Sequence, residues 1–156
     1  MEIGGLPLHF LVIHGAVVLT PLAALTAIVF AVVPRWRWLT RWPALLSGLV
    51  ALATVVVAKL SGDNFLTTRP ELGPLVKVHS ERGNLLMWIT IGFAVVLLVA
   101  AWMLGGSSPF PGGKGARESA LPAADLVLAV ILVLTAVAVL VQVILTGDAG
   151  ARAVWG

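Results

Sequence analysis

Four apolar runs, each near the length needed to cross a bilayer, constrain this chain more than any other feature. A spanning helix needs about 20 mainly apolar residues. The runs cover about 6–33, 43–61, 79–104 and 121–146, leaving loops 34–42, 62–78 and 105–120 and a C-terminal tail 147–156. None alternates with the strict period of a barrel strand. The chain is therefore read as all-α, a single transmembrane domain 1–156 folded as an integral membrane four-helix up-and-down bundle. Composition agrees: 60% of the residues are hydrophobic, 11% are charged, and the mean hydropathy is +1.06. Soluble domains carry about 25% charge, so an ordinary cytosolic enzyme is excluded. The net charge of +3 is too small and too spread to bind nucleic acid. Nothing points to a hydrolase or a transferase, which leaves a redox role open. With no cysteine, disulfides, thiolate metal sites and covalent haem attachment are excluded.

The first run has no preceding Lys or Arg and no small-residue cleavage pattern, so it is read as a retained helix. After it comes PRWRWLTRW, residues 34–42, in which three Arg and three Trp suit a headgroup anchor. The Gly-, Pro- and Ser-rich segment 105–120 reads as a flexible loop, and 62–78 should hold one short turn or helix. Four helices put both termini on one side. Arg35, Arg37, Arg41, Lys114 and Arg117 then face Lys59, Arg69, Lys77, Arg82 and Arg152 across the membrane, a tie by the positive-inside rule. The dense Arg triplet beside the first helix favours termini outside. Stripes of small residues (Ala16, Thr20, Ala23, Ala24 and Ala27; Ala44, Gly48, Ala51 and Ala58) fit close packing within one bundle or between copies in a homo-oligomer.

Counting about 20 residues inward from the Arg triplet puts the far interface near His14. Lys59–Asp63, His79, Glu81, Arg82, Gly83, Thr146 and Asp148 should share that level. Ionisable groups at such depth are functional candidates. Gly15, Gly62, Gly83 and Gly147 lie there too. Gly62 and Gly147 read as helix stops, while Gly15 and Gly83 could clear space for a flat ligand. His9 and His14 are five apart, about 140° around a helix, so they cannot share one metal while both are regularly helical. Three readings stay open. In one, His14 and His79 are axial ligands of a haem b, with Gly15 and Gly83 clearing space and Arg82 neutralising a propionate. In the second, His14 and His79, with His9 as a further candidate, join Glu81, Asp63 or Asp148 around a divalent metal. In the third the protein is a structural or accessory subunit without a cofactor: His9 anchors at the headgroups, His79 ends a loop, and His14 is bonded inside the bundle. Asp148 and Gln142 could equally serve a proton relay.

The opening GLPLHFLVIHGAVVLTPLAAL, then LSGDNF, VHSERGNLL and the closing QVILTGDAGARAVWG together resemble the family called domain of unknown function 2231. These are small four-helix bacterial membrane proteins, here of the actinobacterial type, and the likeness covers nearly the whole chain. It implies residence in the bacterial cytoplasmic membrane. The family's paired opening histidines are matched by His9 and His14, and its histidine entering the third helix by His79. Many members carry another histidine where this chain has Asp148, a departure that tells against two stacked haems and leaves one haem or one metal. The histidine-bearing bundle is similar to di-haem cytochrome b proteins, and related domains occur fused to Rieske-type domains. The resemblance thus implies redox work with a membrane redox partner.

Overall fold

A computed structural model describes the backbone of residues 2–3, 6–108 and 110–156, and the side chains of 9, 11–108 and 110–156. Residues 1, 4, 5 and 109, which fall within the expected domain 1–156, lie outside the described ones. Two short antiparallel strands, β1 (Glu2–Ile3) and β2 (Leu6–Pro7), precede four long helices. These are α1 (Leu8–Val32), α2 (Arg37–Thr68), α3 (Gly73–Met103) and α4 (Asp125–Trp155). Each carries a stretch apolar and long enough to cross a membrane, and together they form the expected all-α bundle. α1 packs on α2 and α4, and α3 packs on the same two, so α1 and α3 face each other across a diagonal.

Three of the helices outrun the membrane. α2, α3 and α4 have 32, 31 and 31 residues, about 47 Å each against about 30 Å of hydrocarbon. Consequently the expected boundaries move. The segment 34–42 is a 3-10 turn, Pro34–Trp36, running straight into α2. Most of 62–78 is helix, broken only around the 3-10 turn Pro70–Leu72. Residues 147–155 continue α4. Gly62 and Gly147 therefore stop nothing: both lie inside helices. A glycine weakens an exposed helix by about 1 kcal/mol, but these helices are held by their neighbours beyond the lipid. Loop 105–120 remains a loop, pinned by paired backbone bonds between Gly106 and Arg117.

The arginine cluster divides. Arg35 and the three tryptophans are exposed, as an interface anchor should be. Arg37 and Arg41 are instead buried, 6% and 5% exposed. Arg37 donates to the carbonyls of Phe30 (3.1 Å), Ala31 (2.8 Å) and Gly105 (2.7 Å). Arg41 donates to Leu104 (2.7 Å) and to Ala101, and lies over the Phe30 ring. The last carbonyls of a helix have no helical partner, and lipid offers none. Two guanidinium groups on the first turns of α2 supply partners at the ends of α1 and α3, where a cation also suits the helix dipole. Asp125, at the start of α4, sits 3.8 Å from Arg37 and accepts from Ser119.

The core above this layer is built from small residues with a few large ones, among them Ala23, Ala24, Ala27, Phe30, Ala44, Ala51, Phe93, Leu97, Ala100, Leu132, Ala136 and Val139. A second cluster, Ala16, Val55, Leu86 and Val143, lies toward the other end. If Arg41 holds the helix ends as its bonds indicate, Arg41→Met leaves two carbonyls without donors. That should cost about 3 kcal/mol, read as a lower Tm in detergent, whereas Arg35→Met should leave the Tm nearly unchanged.

Candidate functional site

At the far end of the bundle the two diagonal helices each send a histidine inward. His9 starts α1 and His79 lies in the second turn of α3; their ring centroids are 6.2 Å apart, with planes at 72°. Nδ1 of His9 is 2.9 Å from the Ala58 carbonyl on α2, and Nδ1 of His79 is 3.0 Å from the Thr146 carbonyl on α4. A carbonyl only accepts, so each Nδ1 carries the proton and each Nε2 keeps its lone pair. Both rings are half-buried. Ser61, buried beside Ala58, donates to the same Ala58 carbonyl (3.0 Å). On α4, Gln142 and Thr146 donate to the Arg82 carbonyl (3.0 and 3.2 Å), fixing α4 against α3 beneath His79.

Two glycines form the back wall. A Cβ on Gly62 would stand 2.8 Å from the His9 ring, and one on Gly150 would stand 2.9 Å from His79 Nδ1. Both are too close for real atoms, so each imidazole lies against bare helix backbone. The carbonyl bonds depend on that approach.

This arrangement differs from the expected one in its partner. The ring beside His79 is that of His9; His14 is exposed on α1. The reason is rotation. The buried stripe of α1 includes Ala16, Thr20, Ala23 and Ala27. At about 100° per residue, His9 falls within about 20° of Ala16, and His14 about 160° away from it. Depth shifts as well. His9 lies about 35 Å from Val32 along the helix, beyond about 30 Å of hydrocarbon, so the pair sits at the membrane boundary rather than within the apolar layer.

The other candidates are scattered. Gly15 faces α2, where a Cβ would make ordinary contact with Thr54 (3.7 Å), and a Cβ on Gly83 would meet nothing. Neither clears space beside the rings. The Arg82 side chain is exposed, and only its carbonyl is engaged within the bundle. Asp63 pairs with Lys59, Glu81 with Lys77 (4.0 Å) and Asp148 with Arg152 (2.8 Å), each along its own helix. Among the described residues no three His, Asp or Glu side chains converge as a metal cluster.

His9 precedes the apolar span Leu11–Val32. Burial pushes its pKa below the ordinary histidine value; the Ala58 carbonyl opposes this, His79 adds to it and Asp63 opposes it.

Together these features define a polytopic membrane protein with a paired-histidine site where the bundle leaves the bilayer. The chain belongs to the family of predicted membrane proteins DUF2231, whose profile matches residues 5–156. Neither curated proteins nor solved structures give a match.

Gly62→Ala should displace the His9 ring and shift its imidazole NMR resonances while leaving those of His14 in place. The depressed His9 pKa gives stability a pH dependence. Above the unfolded value of about 6.5 both states are neutral; below it the unfolded chain takes up a proton that the fold resists. The Tm of metal-free protein should therefore fall between about pH 7 and pH 5, and fall less in His9→Gln.

Proposed function

We propose that the chain is a small membrane redox protein that holds one metal centre between Nε2 of His9 and Nε2 of His79, with haem iron as the favoured occupant. The observation that carries this reading is the pair itself: both Nδ1 atoms are tied to backbone carbonyls, and the ring centroids are 6.2 Å apart. Imidazole nitrogens bind a metal at about 2 Å, so an ion held by His9 and His79 together would need their rings about as close as they are. An Nδ1–H bond to a carbonyl is the outer-shell support that orients a ligating histidine and raises its basicity.

Haem is favoured because its iron would ask this chain for two imidazoles, His9 and His79, and no further donor. A bare divalent ion needs further donors, and Asp63, Glu81 and Asp148 are each paired along their own helices. The divalent-metal reading therefore requires water to complete the shell. When bound, haem iron supplies one-electron chemistry. The chain's residues would then do the rest: Ala58 and Thr146 fix the rings, Gly62 and Gly150 admit them, and exposed Arg82 can meet a carboxylate at the membrane surface. A site at the boundary is within reach of a membrane redox partner or a second copy. With the Arg triplet inside, the site and both termini face outward from the bacterial cytoplasmic membrane.

Absorption spectroscopy with elemental analysis, on protein purified from haem-replete cells, tests this. A Soret band should be present in the wild type and His14→Ala, and absent in His9→Ala and His79→Ala. Stoichiometric metal without a Soret band transfers the site to a bare ion. Neither signal in the wild type overturns both readings and leaves a structural subunit.

A further inference from the structure

At the arginine end α1 and α4 part to leave a groove of about 700 Å³, a size that suits a small molecule. Its apolar walls are Ala31 and Val32 of α1 and Ala129, Val130, Val133 and Leu134 of α4. From Asp125 to Leu134, α4 rises about 13 Å, close to one leaflet of a hydrocarbon core about 30 Å thick. The long side is open: Val32, Val130 and Leu134 are 58%, 47% and 63% exposed, and all three fall within apolar spans. A ligand therefore reaches this part from lipid, laying an apolar chain against the two helices.

The other end of the groove is polar. Arg37, Ser119 and Asp125 line it with Gly105 and Gly106, and the exposed Trp36 and Trp38 on either side of Arg37 mark the headgroup level. Three carbonyls hold the Arg37 guanidinium in place. Being neutral, they leave its charge to be balanced by something else. A Cβ on Gly105 would stand 2.5 Å from Ser119, and one on Gly106 would stand 2.8 Å from the Pro34 carbonyl, so loop backbone closes directly over these groups. Ser119 accepts from the Gly105 N–H (3.0 Å) and donates to Oδ2 of Asp125. The same Oδ2 faces Arg37 at 3.8 Å, beyond hydrogen-bond reach. Oδ1 of Asp125 takes part in neither contact, and a carboxylate oxygen can accept from a further donor. One fixed cation and one oriented carboxylate thus stand side by side at the head of an apolar channel.

We propose that this groove seats one phospholipid with a primary-ammonium head, of the phosphatidylethanolamine kind: phosphate beside Arg37, ammonium on Asp125, and one acyl chain between α1 and α4. Charge complementarity selects it. The loose guanidinium–carboxylate pair is matched by a phosphate and an ammonium joined through two carbons, so that each anion meets a cation. A choline head offers the carboxylate no N–H, and a glycerol head offers it no cation. Bound there, the lipid bridges α1 and α4, which no loop joins. The seat lies about 35 Å along the bundle from the histidine pair and does not depend on what that pair holds.

Native mass spectrometry of the full chain tests this, with the protein released from detergent micelles that hold equal amounts of phosphatidylethanolamine, phosphatidylcholine and phosphatidylglycerol of one acyl length. The wild type should retain one phosphatidylethanolamine about tenfold over either competitor, as one charge-assisted hydrogen bond would give. Asp125→Asn should bring the three lipids to parity. Val130→Trp fills the groove from its exposed side without touching the ion pair. It should remove the retained phosphatidylethanolamine while the helical circular dichroism stays as in the wild type, and it reads the groove even if Asp125→Asn does not fold. Equal retention of the three lipids by the wild type overturns the proposal, and so does a preference that survives either variant. Preferred phosphatidylglycerol overturns it in favour of an anionic lipid on the arginines. A dimer that Val130→Trp dissociates, with no lipid retained, overturns it in favour of a second copy of the chain.

Discussion

A helix that ends in lipid leaves carbonyls that nothing but protein can satisfy, and in this bundle Arg37 and Arg41 meet that requirement. Their guanidinium groups sit on the first turns of α2 but bond to the ends of α1 and α3. Each such bond fixes how far α2 slides along its neighbour. Helices are stiff, so a register set at one end holds at the other. About 35 Å away, α2 presents Ala58 and Gly62 to His9 at the level where α4 presents Thr146 and Gly150 to His79. Small-residue packing then holds the register between these ends, because Ala and Gly let the backbones approach. Gly48 illustrates the tightness: a Cβ there would stand 2.5 Å from Leu97.

Hydropathy made the four spans legible, since a bilayer demands length and apolarity and little else. Helix ends were less so. Gly62 and Gly147 look like stops by local rules, yet the bundle keeps packing past the lipid and overrides them. The histidine pair was half legible. Depth can be counted from one membrane face, and it leads to the end where His9 and His79 meet. Azimuth is harder, because His9 and His14 differ by about 140° and only one can point inward. The signal that decides between them is present in the sequence. Seven residues separate His9 from Ala16, His79 from Leu86, Ala51 from Ala58 and Val143 from Gly150, so each site element extends a buried stripe by two turns. Extending the small-residue stripe of α1 backward selects His9. Carrying the α2 stripe through Val55 and Ala58 reaches Gly62, which then reads as the wall behind a ring rather than as a stop. The buried arginines gave no such signal. Arg beside Trp at a membrane edge matches an anchor, and only the third dimension shows that two of the three turn inward.

The glycines at the site carry a cost that points to use. Each replaces a side chain that would have strengthened its helix, and each lies where a Cβ would collide with an imidazole. A structural histidine with its Nδ1 bonded to a carbonyl could be accommodated on many surfaces. Two of them, on diagonal helices and each backed by bare backbone, form a more demanding arrangement. The carboxylates nearby do not contribute to it. Asp63, Glu81 and Asp148 all sit four residues from a cation on the same helix, the spacing at which side chains meet on an exposed face. They solvate the ends of the helices and leave the pair with nitrogen donors alone.

The two ends of the bundle thus differ in what their polar groups have left to offer. At the arginine end, Arg37, Arg41, Ser119 and Asp125 spend their bonds on helix ends, loop backbone and one another, so that end acts as a clamp. At the histidine end each Nδ1 is spent on a helix carbonyl, and deeper in the bundle Thr20 Oγ1 has no hydrogen-bond partner among the described residues. Unspent capacity in a low-dielectric interior is destabilising unless something occupies it. The buried uncharged polar side chains Thr20, Ser61, Thr90, Gln142 and Thr146 thus lie from mid-bundle toward the histidine end, opposite the clamp.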